Sequence, residues 1–127
     1  MNTGDTLCIP EPGTSLDSHL WAVISDPIAD PFQIVLVNFT KHRQDKDQAC
    51  VLQDGDHPFI KIPTCVEYRR AKIVTNEQLD ILISLPNVEV REPLSPEVLE
   101  RILDGVPNSR MRLDVAQLLA DQGLVQL

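Results

Sequence analysis

The sequence predicts a small, mainly β domain with helices at its C-terminal end. Short apolar runs alternate with turn signals such as Asp26-Pro27 and Asp54-Gly55 up to about residue 75. Helical apolar spacing replaces this pattern near the C-terminus. The chain has 127 residues, of which 43% are hydrophobic, and this is enough for one domain with an apolar core.

The β-rich part contains several predicted strands. Residues 34–37 of the longest one are all apolar, which is typical of a strand that is buried on both faces. Strands this short, with turns this close together, predict a small barrel. The expected extended segments are Leu7–Ile9, Leu20–Ser25, Gln33–Thr40, Ala49–Gln53, Phe59–Ile62, Cys65–Val74 as one strand or two, and Val88–Arg91.

We expect three helices after the main strands. Asn76 is expected to cap a short one, Ser95 followed by Pro96 starts a second one that stops at Gly105, and the third runs from Asn108 to about Gln122. We therefore divide the chain into a β-barrel domain with an N-terminal arm, residues 1–91, and a helical segment packed on it, residues 92–127.

The charge and the cysteines narrow the function classes. A net charge of −8 disfavours a broad nucleic-acid footprint but leaves room for local basic patches, at residues 61–72 and, more weakly, at 41–43. Three widely spaced cysteines do not form a disulfide framework and are expected to be reduced. With no signal pattern and no apolar run of membrane-spanning length, we expect a cytoplasmic protein that does not bind membranes.

Motifs for common cofactors are absent from the sequence. There is no Walker loop, no dinucleotide fingerprint and no nucleophile elbow. His19, Cys50, His57 and Cys65 can converge in space, but no two have the spacing typical of a zinc site. We expect neither a cofactor nor a metal.

Five segments carry a resemblance to a known family. HLWAVISDP, IVLVNFT, CVLQDGDHPFI, TCVEYRRAKIV and the helical PEVLERIL occur in this order, across roughly Gly13 to Gly105. Together they resemble a divergent member of the MazF/PemK toxins of type II toxin–antitoxin systems. The resemblance implies an SH3-like barrel with a C-terminal helix. It also implies a homodimeric endoribonuclease that cleaves single-stranded RNA without metal, with an antitoxin protein as partner.

The same resemblance suggests two catalytic residues. The family has an Arg just before the first core strand and a Thr or Ser that closes the next one. Thr40 falls at the second position, whereas His19 replaces the Arg. An imidazole can transfer a proton near neutral pH, which a guanidinium cannot. The Gly-rich basic opening of the family is reduced here to Gly13 and Thr14.

Four further residues are candidates for substrate binding. His57 can add an acid–base group, Tyr68 can stack on a base, and Arg69 or Arg70 can bind phosphate. Each candidate also has a structural interpretation: a histidine at a strand edge or turn, a threonine that bonds its own backbone, or a basic edge of an amphipathic strand. The alternative function is therefore a catalytically inactive barrel that binds a protein or a nucleic acid.

Overall fold

One antiparallel sheet dominates the computed structural model, which describes residues 1–11 and 18–127. Within these residues it has six strands, in the order β4-β5-β3-β2-β1-β6. The predicted mainly β domain with C-terminal helices is confirmed, whereas Gly13 and Thr14 lie outside the described residues. The strands are β1 Thr6–Pro10, β2 Ser18–Val23, β3 Ile34–Lys41, β4 Val51–Leu52, β5 Thr64–Val74 and β6 Glu89–Arg91.

The helices begin at side-chain caps or at short turns. They are α1 Asn76–Ser84, α2 Pro96–Gly105 and α3 Leu113–Asp121. Ser95 caps α2 as predicted, since its hydroxyl accepts a hydrogen bond from the N–H of Val98 at 3.2 Å. Thr75, not Asn76, caps α1, because Thr75 and Gln78 exchange hydrogen bonds in a capping box. In the described part of the chain, no helix has the length and apolar character needed to cross a membrane.

Two local predictions differ from the structure. Residues 59–62 form no strand, because the chain turns where Ile60 N–H donates to His57 O at 2.9 Å. The third helix begins at Leu113 instead of Asn108, since a 3-10 turn, Val106–Asn108, comes first. The segment after Pro63 forms one strand, β5, with an irregular pairing opposite β3 between Leu36 and Asn38.

Strand β3 lies at the centre of two apolar clusters, one on each face of the sheet. Val35 and Val37 belong to the larger cluster, which includes side chains of α2 and α3. Ile34 and Leu36 belong to the smaller cluster, together with Leu79 of α1. The contiguous apolar run is therefore buried on both faces, as predicted, because helices cover both sides of the sheet.

Helix α2 is fixed to the sheet through Tyr68 of β5. The Tyr68 hydroxyl donates to the carbonyl of Ile102 at 2.6 Å. Burial raises the pKa of this hydroxyl above its ordinary value of 10, so it stays protonated. Gly105 makes room for the contact, since a Cβ at this position would overlap the Tyr68 hydroxyl. The glycine is needed here for close approach; its φ of −73° is an ordinary helical value.

Candidate functional site

His19 and Thr40 lie side by side on neighbouring strands. In the pairing of β2 with β3, Trp21 is opposite Asn38. The two strand ends stay close beyond this pair, since His19 Nδ1 lies 3.2 Å from the carbonyl oxygen of Phe39, the residue before Thr40. Both residues line one cleft of about 370 Å³, which we call the His19–Thr40 cleft; its walls also include Ser18, Phe39, Lys41 and Lys61.

The imidazole of His19 is held by two oxygen atoms. Its Nδ1 lies 3.2 Å from the carbonyl oxygen of Phe39, and its Nε2 lies 3.4 Å from a carboxylate oxygen of Glu11. A carbonyl can only accept, so Nδ1 is the donor in the first contact. The side chain is 26% exposed. With the proton on Nδ1, the neutral ring keeps a lone pair on Nε2, so Nε2 can accept a proton from a ligand and bonds Glu11 only once it carries that proton.

The His19–Thr40 cleft also carries positive charge. Lys41 and Lys61 are both exposed and line it together with Thr40. Two ammonium groups beside hydroxyl donors suit an anionic group such as a phosphate. This local charge is opposite to the net charge of −8.

A second cleft adjoins the first one and shares His19 as a wall. We call it the Trp21–Asn38 cleft; its volume is also about 370 Å³. Arg70 lines it, as does Lys72, whose Nζ lies 5.4 Å from the centre of the Trp21 ring. Ile9, Leu36, Val74 and Leu82 supply apolar wall.

Asn38 is an unusual residue at the base of the sheet face that forms this cleft. It is only 3% exposed, and among the described residues its Oδ1 has no hydrogen-bond donor. Glu67 of β5 lies opposite Asn38, and its carboxylate forms ion pairs with Lys46 at 3.2 Å and with Arg70 at 3.6 Å. The sequence carries a signal for this residue, because Asn38 directly follows the four apolar residues 34–37 of a strand that is expected to be buried.

His57 lies outside both clefts. It is 3% exposed, its Nδ1 accepts from the N–H of Phe59 at 3.0 Å, and its Nε2 donates to the carbonyl of Glu92 at 2.6 Å. The hydroxyl of Thr6 donates to the same carbonyl at 2.6 Å. With both nitrogens engaged, the ring ties the turn after β4 to β1 and to the chain after β6, and offers no nitrogen to a substrate.

Tyr68 and Arg69 also lie outside the two clefts. The ring of Tyr68 is fully buried in the larger apolar cluster, so it has no exposed face on which a base can stack. Arg69 is exposed and borders a small cavity of about 60 Å³ beside Asp45 and Asp47. Of the six predicted site residues, the structure brings together His19, Thr40 and Arg70. It adds Trp21, Asn38 and Lys72, which the sequence analysis missed.

Neither a metal-binding cluster among the described residues nor a similar known protein identifies the site. Among residues 1–11 and 18–127, no group of three or more His, Cys, Asp or Glu side chains is placed to hold a metal ion. No protein-family model, no curated protein and no solved structure matches the chain. The candidate site therefore rests on the sequence and on the geometry of the two clefts.

Proposed function

We propose that the protein is a MazF/PemK-like endoribonuclease that cleaves single-stranded RNA without a metal. The observation that carries the proposal is the common cleft of His19 and Thr40, two residues that the family resemblance had selected from the sequence. Two residues 21 positions apart meet there beside Lys41 and Lys61, where an anionic backbone can bind.

The proposed reaction is transfer of the phosphoryl group to the neighbouring ribose hydroxyl. His19 Nε2 accepts the proton of the 2′-hydroxyl, whose oxygen attacks the adjacent phosphorus. The bond to the 5′-oxygen breaks, that oxygen takes a proton from water, and a 2′,3′-cyclic phosphate remains. Thr40 donates a hydrogen bond to a non-bridging oxygen, while Lys41 and Lys61 stabilise the charge that develops on the phosphate.

The proposal includes a fold and an assembly. We propose that the sheet curls into an SH3-like barrel and that the protein forms a cytoplasmic homodimer that binds an antitoxin protein. In support of the assembly, β6 is an edge strand of three residues, and its Val90 is 57% exposed. Edge strands and exposed apolar side chains are common in contacts between protein chains.

A catalytically inactive binding module is the second candidate. It is favoured by the net charge of −8, which repels RNA at long range, and by the replacement of the family's Arg with His19. In this case the barrel keeps its clefts for a nucleic-acid or protein partner but does not cleave.

An RNA cleavage assay in EDTA tests the proposal. The purified protein is incubated with end-labelled single-stranded RNA, and the product ends are analysed for cyclic phosphate. We expect His19→Gln to slow cleavage by roughly 10²–10⁴-fold, the usual contribution of an acid–base group. Thr40→Val, which keeps the side-chain shape, is expected to slow it less. His42→Gln is the matched control, because His42 bonds Gln48 at 2.6 Å and is not among the residues that line the cleft.

The outcomes separate the two candidates. Cleavage by the wild type and by His42→Gln, but not by His19→Gln, supports the endoribonuclease. Cleavage by His19→Gln at the wild-type rate contradicts the assigned role of His19. If the wild type retains RNA without cutting it and does not arrest growth on expression, the binding module is the correct function.

A further inference from the structure

The Trp21–Asn38 cleft has features that the proposed cleavage reaction leaves unused. Its walls are mainly apolar, and its volume of about 370 Å³ lies within the range of roughly 300–1,000 Å³ found for small-ligand sites. Trp21 contributes an aromatic ring to it. A planar, weakly polar group such as a nucleobase fits walls of this kind.

One buried polar atom of a residue that lines the cleft lacks a donor. Asn38 Oδ1 is buried, and within the described residues it accepts no hydrogen bond. Buried polar atoms in proteins nearly always have a partner, so an exception at the wall of a cleft points to a bound molecule. An amide oxygen recognises an N–H group, which the exocyclic amine of adenine or cytosine supplies.

Cations lie at the same cleft. Lys72 Nζ is placed over the Trp21 ring at 5.4 Å, and Arg70 has a side chain that is 59% exposed. Lys72 is itself exposed. A ligand with an apolar base and an anionic phosphate would therefore find complementary groups at both ends.

We propose that the Trp21–Asn38 cleft is a subsite for a nucleotide whose base carries an exocyclic amino group. The Asn38 amide turns towards the cleft so that Oδ1 accepts the amino hydrogen, and Lys72 with Arg70 contacts the phosphate. This inference rests on the proposed function in one respect: because His19 is a wall of both clefts, the base is that of a nucleotide next to the cleaved phosphate.

Binding in the cleft can be measured through the fluorescence of Trp21, because it is the single tryptophan of the chain. Its fluorescence emission, excited at a wavelength that nucleotides do not absorb, is titrated with adenosine monophosphate. The second probe is purine riboside monophosphate, which differs only in lacking the amino group. We expect a saturable change with the first probe and at least tenfold weaker binding of the second.

Variants assign the binding to the cleft. Asn38→Leu, which removes the acceptor at similar volume, is expected to weaken binding of adenosine monophosphate at least tenfold. It should also make the two probes bind alike. Asn87→Leu is the control, since Asn87 is exposed and outside the cleft lining. Lys72→Gln is expected to weaken the binding of adenosine monophosphate but to leave the binding of adenosine unchanged.

The comparison of the two probes on the wild type needs no variant, so it decides the question even if Asn38→Leu fails to fold. Equal binding of both probes, or no binding of either, overturns the inference. If this happens while His19-dependent RNA cleavage persists, only the subsite is wrong. If adenosine monophosphate binds through Asn38 but no RNA is cleaved, the subsite stands and the endoribonuclease proposal fails.

Discussion

A methyl group added at Gly105 tests how helix α2 is fixed to the sheet. Gly105 is the last residue of α2 and faces the hydroxyl of Tyr68, which bonds Ile102. In Gly105→Ala the new Cβ would overlap that hydroxyl. It would also lie 3.1 Å from the carbonyl oxygen of Ala49 and 3.3 Å from Tyr68 Cζ. The Tyr68 ring would have to shift, and the Ala49 carbonyl would have to give by a few tenths of an ångström, for the methyl to fit.

The expected cost follows from two opposing effects. Inserting a methyl into a packed core costs about 1–3 kcal/mol. Alanine recovers about 0.5–1 kcal/mol of this through its better helix propensity. We therefore expect the free energy of unfolding to fall by about 1 kcal/mol and by no more than about 2.5 kcal/mol, where each kcal/mol corresponds to roughly 4 °C in Tm for a domain of this size.

A double-mutant cycle with Tyr68→Phe identifies the cause. Urea unfolding is measured for the wild type, Gly105→Ala, Tyr68→Phe and the double variant. Removing the hydroxyl takes away the overlapping atom, so Gly105→Ala should cost about 1 kcal/mol less in the Tyr68→Phe background. If the two effects add within about 0.3–0.5 kcal/mol, the methyl is not excluded by the Tyr68 hydroxyl and the reasoning is refuted.

Three further predictions concern stability. Asn38→Leu should raise the free energy of unfolding by up to about 1–3 kcal/mol, since it removes a buried unsatisfied oxygen, and a loss measured by urea unfolding would contradict this. Burial raises the pKa of Tyr68 and of Cys50 above their ordinary values of 10 and 9, so the folded state keeps both protons to higher pH than the unfolded state. The free energy of unfolding should therefore keep its full value below pH 9 and fall above pH 9–10, by up to about 1.4 kcal/mol per pH unit for each group. Tyr68→Phe should flatten the pH dependence above pH 10. An unchanged pH dependence in this variant would show that Tyr68 does not contribute to it. His57→Leu leaves the N–H of Phe59 without its partner and should cost about 1–3 kcal/mol by the same assay, with equal stability as the contrary result.

Local sequence signals predicted most strands and one helix start correctly. The apolar run of β3 was long enough to indicate burial on both faces, and Ser95 followed by Pro96 marked the start of α2. Signals failed where a different local hydrogen bond formed from the one expected. Residues 59–62 turn because His57 bonds Phe59, and Thr75 competes with Asn76 for the cap of α1.

The candidate site was predictable only in part. His19 and Thr40 lie at the ends of two strands that are consecutive in the chain and pair antiparallel, so their closeness follows from this pairing. Lys72 reaches the adjoining Trp21–Asn38 cleft from β5, where an irregular pairing near Leu36 shifts the register. A shift of one residue exchanges the two faces of a strand, and nothing in the local sequence specifies it.

Short-range chemistry thus established the class of the fold, because apolar spacing, caps and turn residues act over a few neighbours along the chain. The environment of individual side chains depends on contacts between residues that are far apart in the chain. Tyr68 looked like an exposed stacking ring beside two arginines, but packing of α2, some 30 residues away in the chain, buried it. Asn38 looked like an ordinary polar residue near a strand end, but pairing with β2 and β5 enclosed it at a cleft. Burial is a property of the assembled layers, and it decides which polar groups remain available for chemistry.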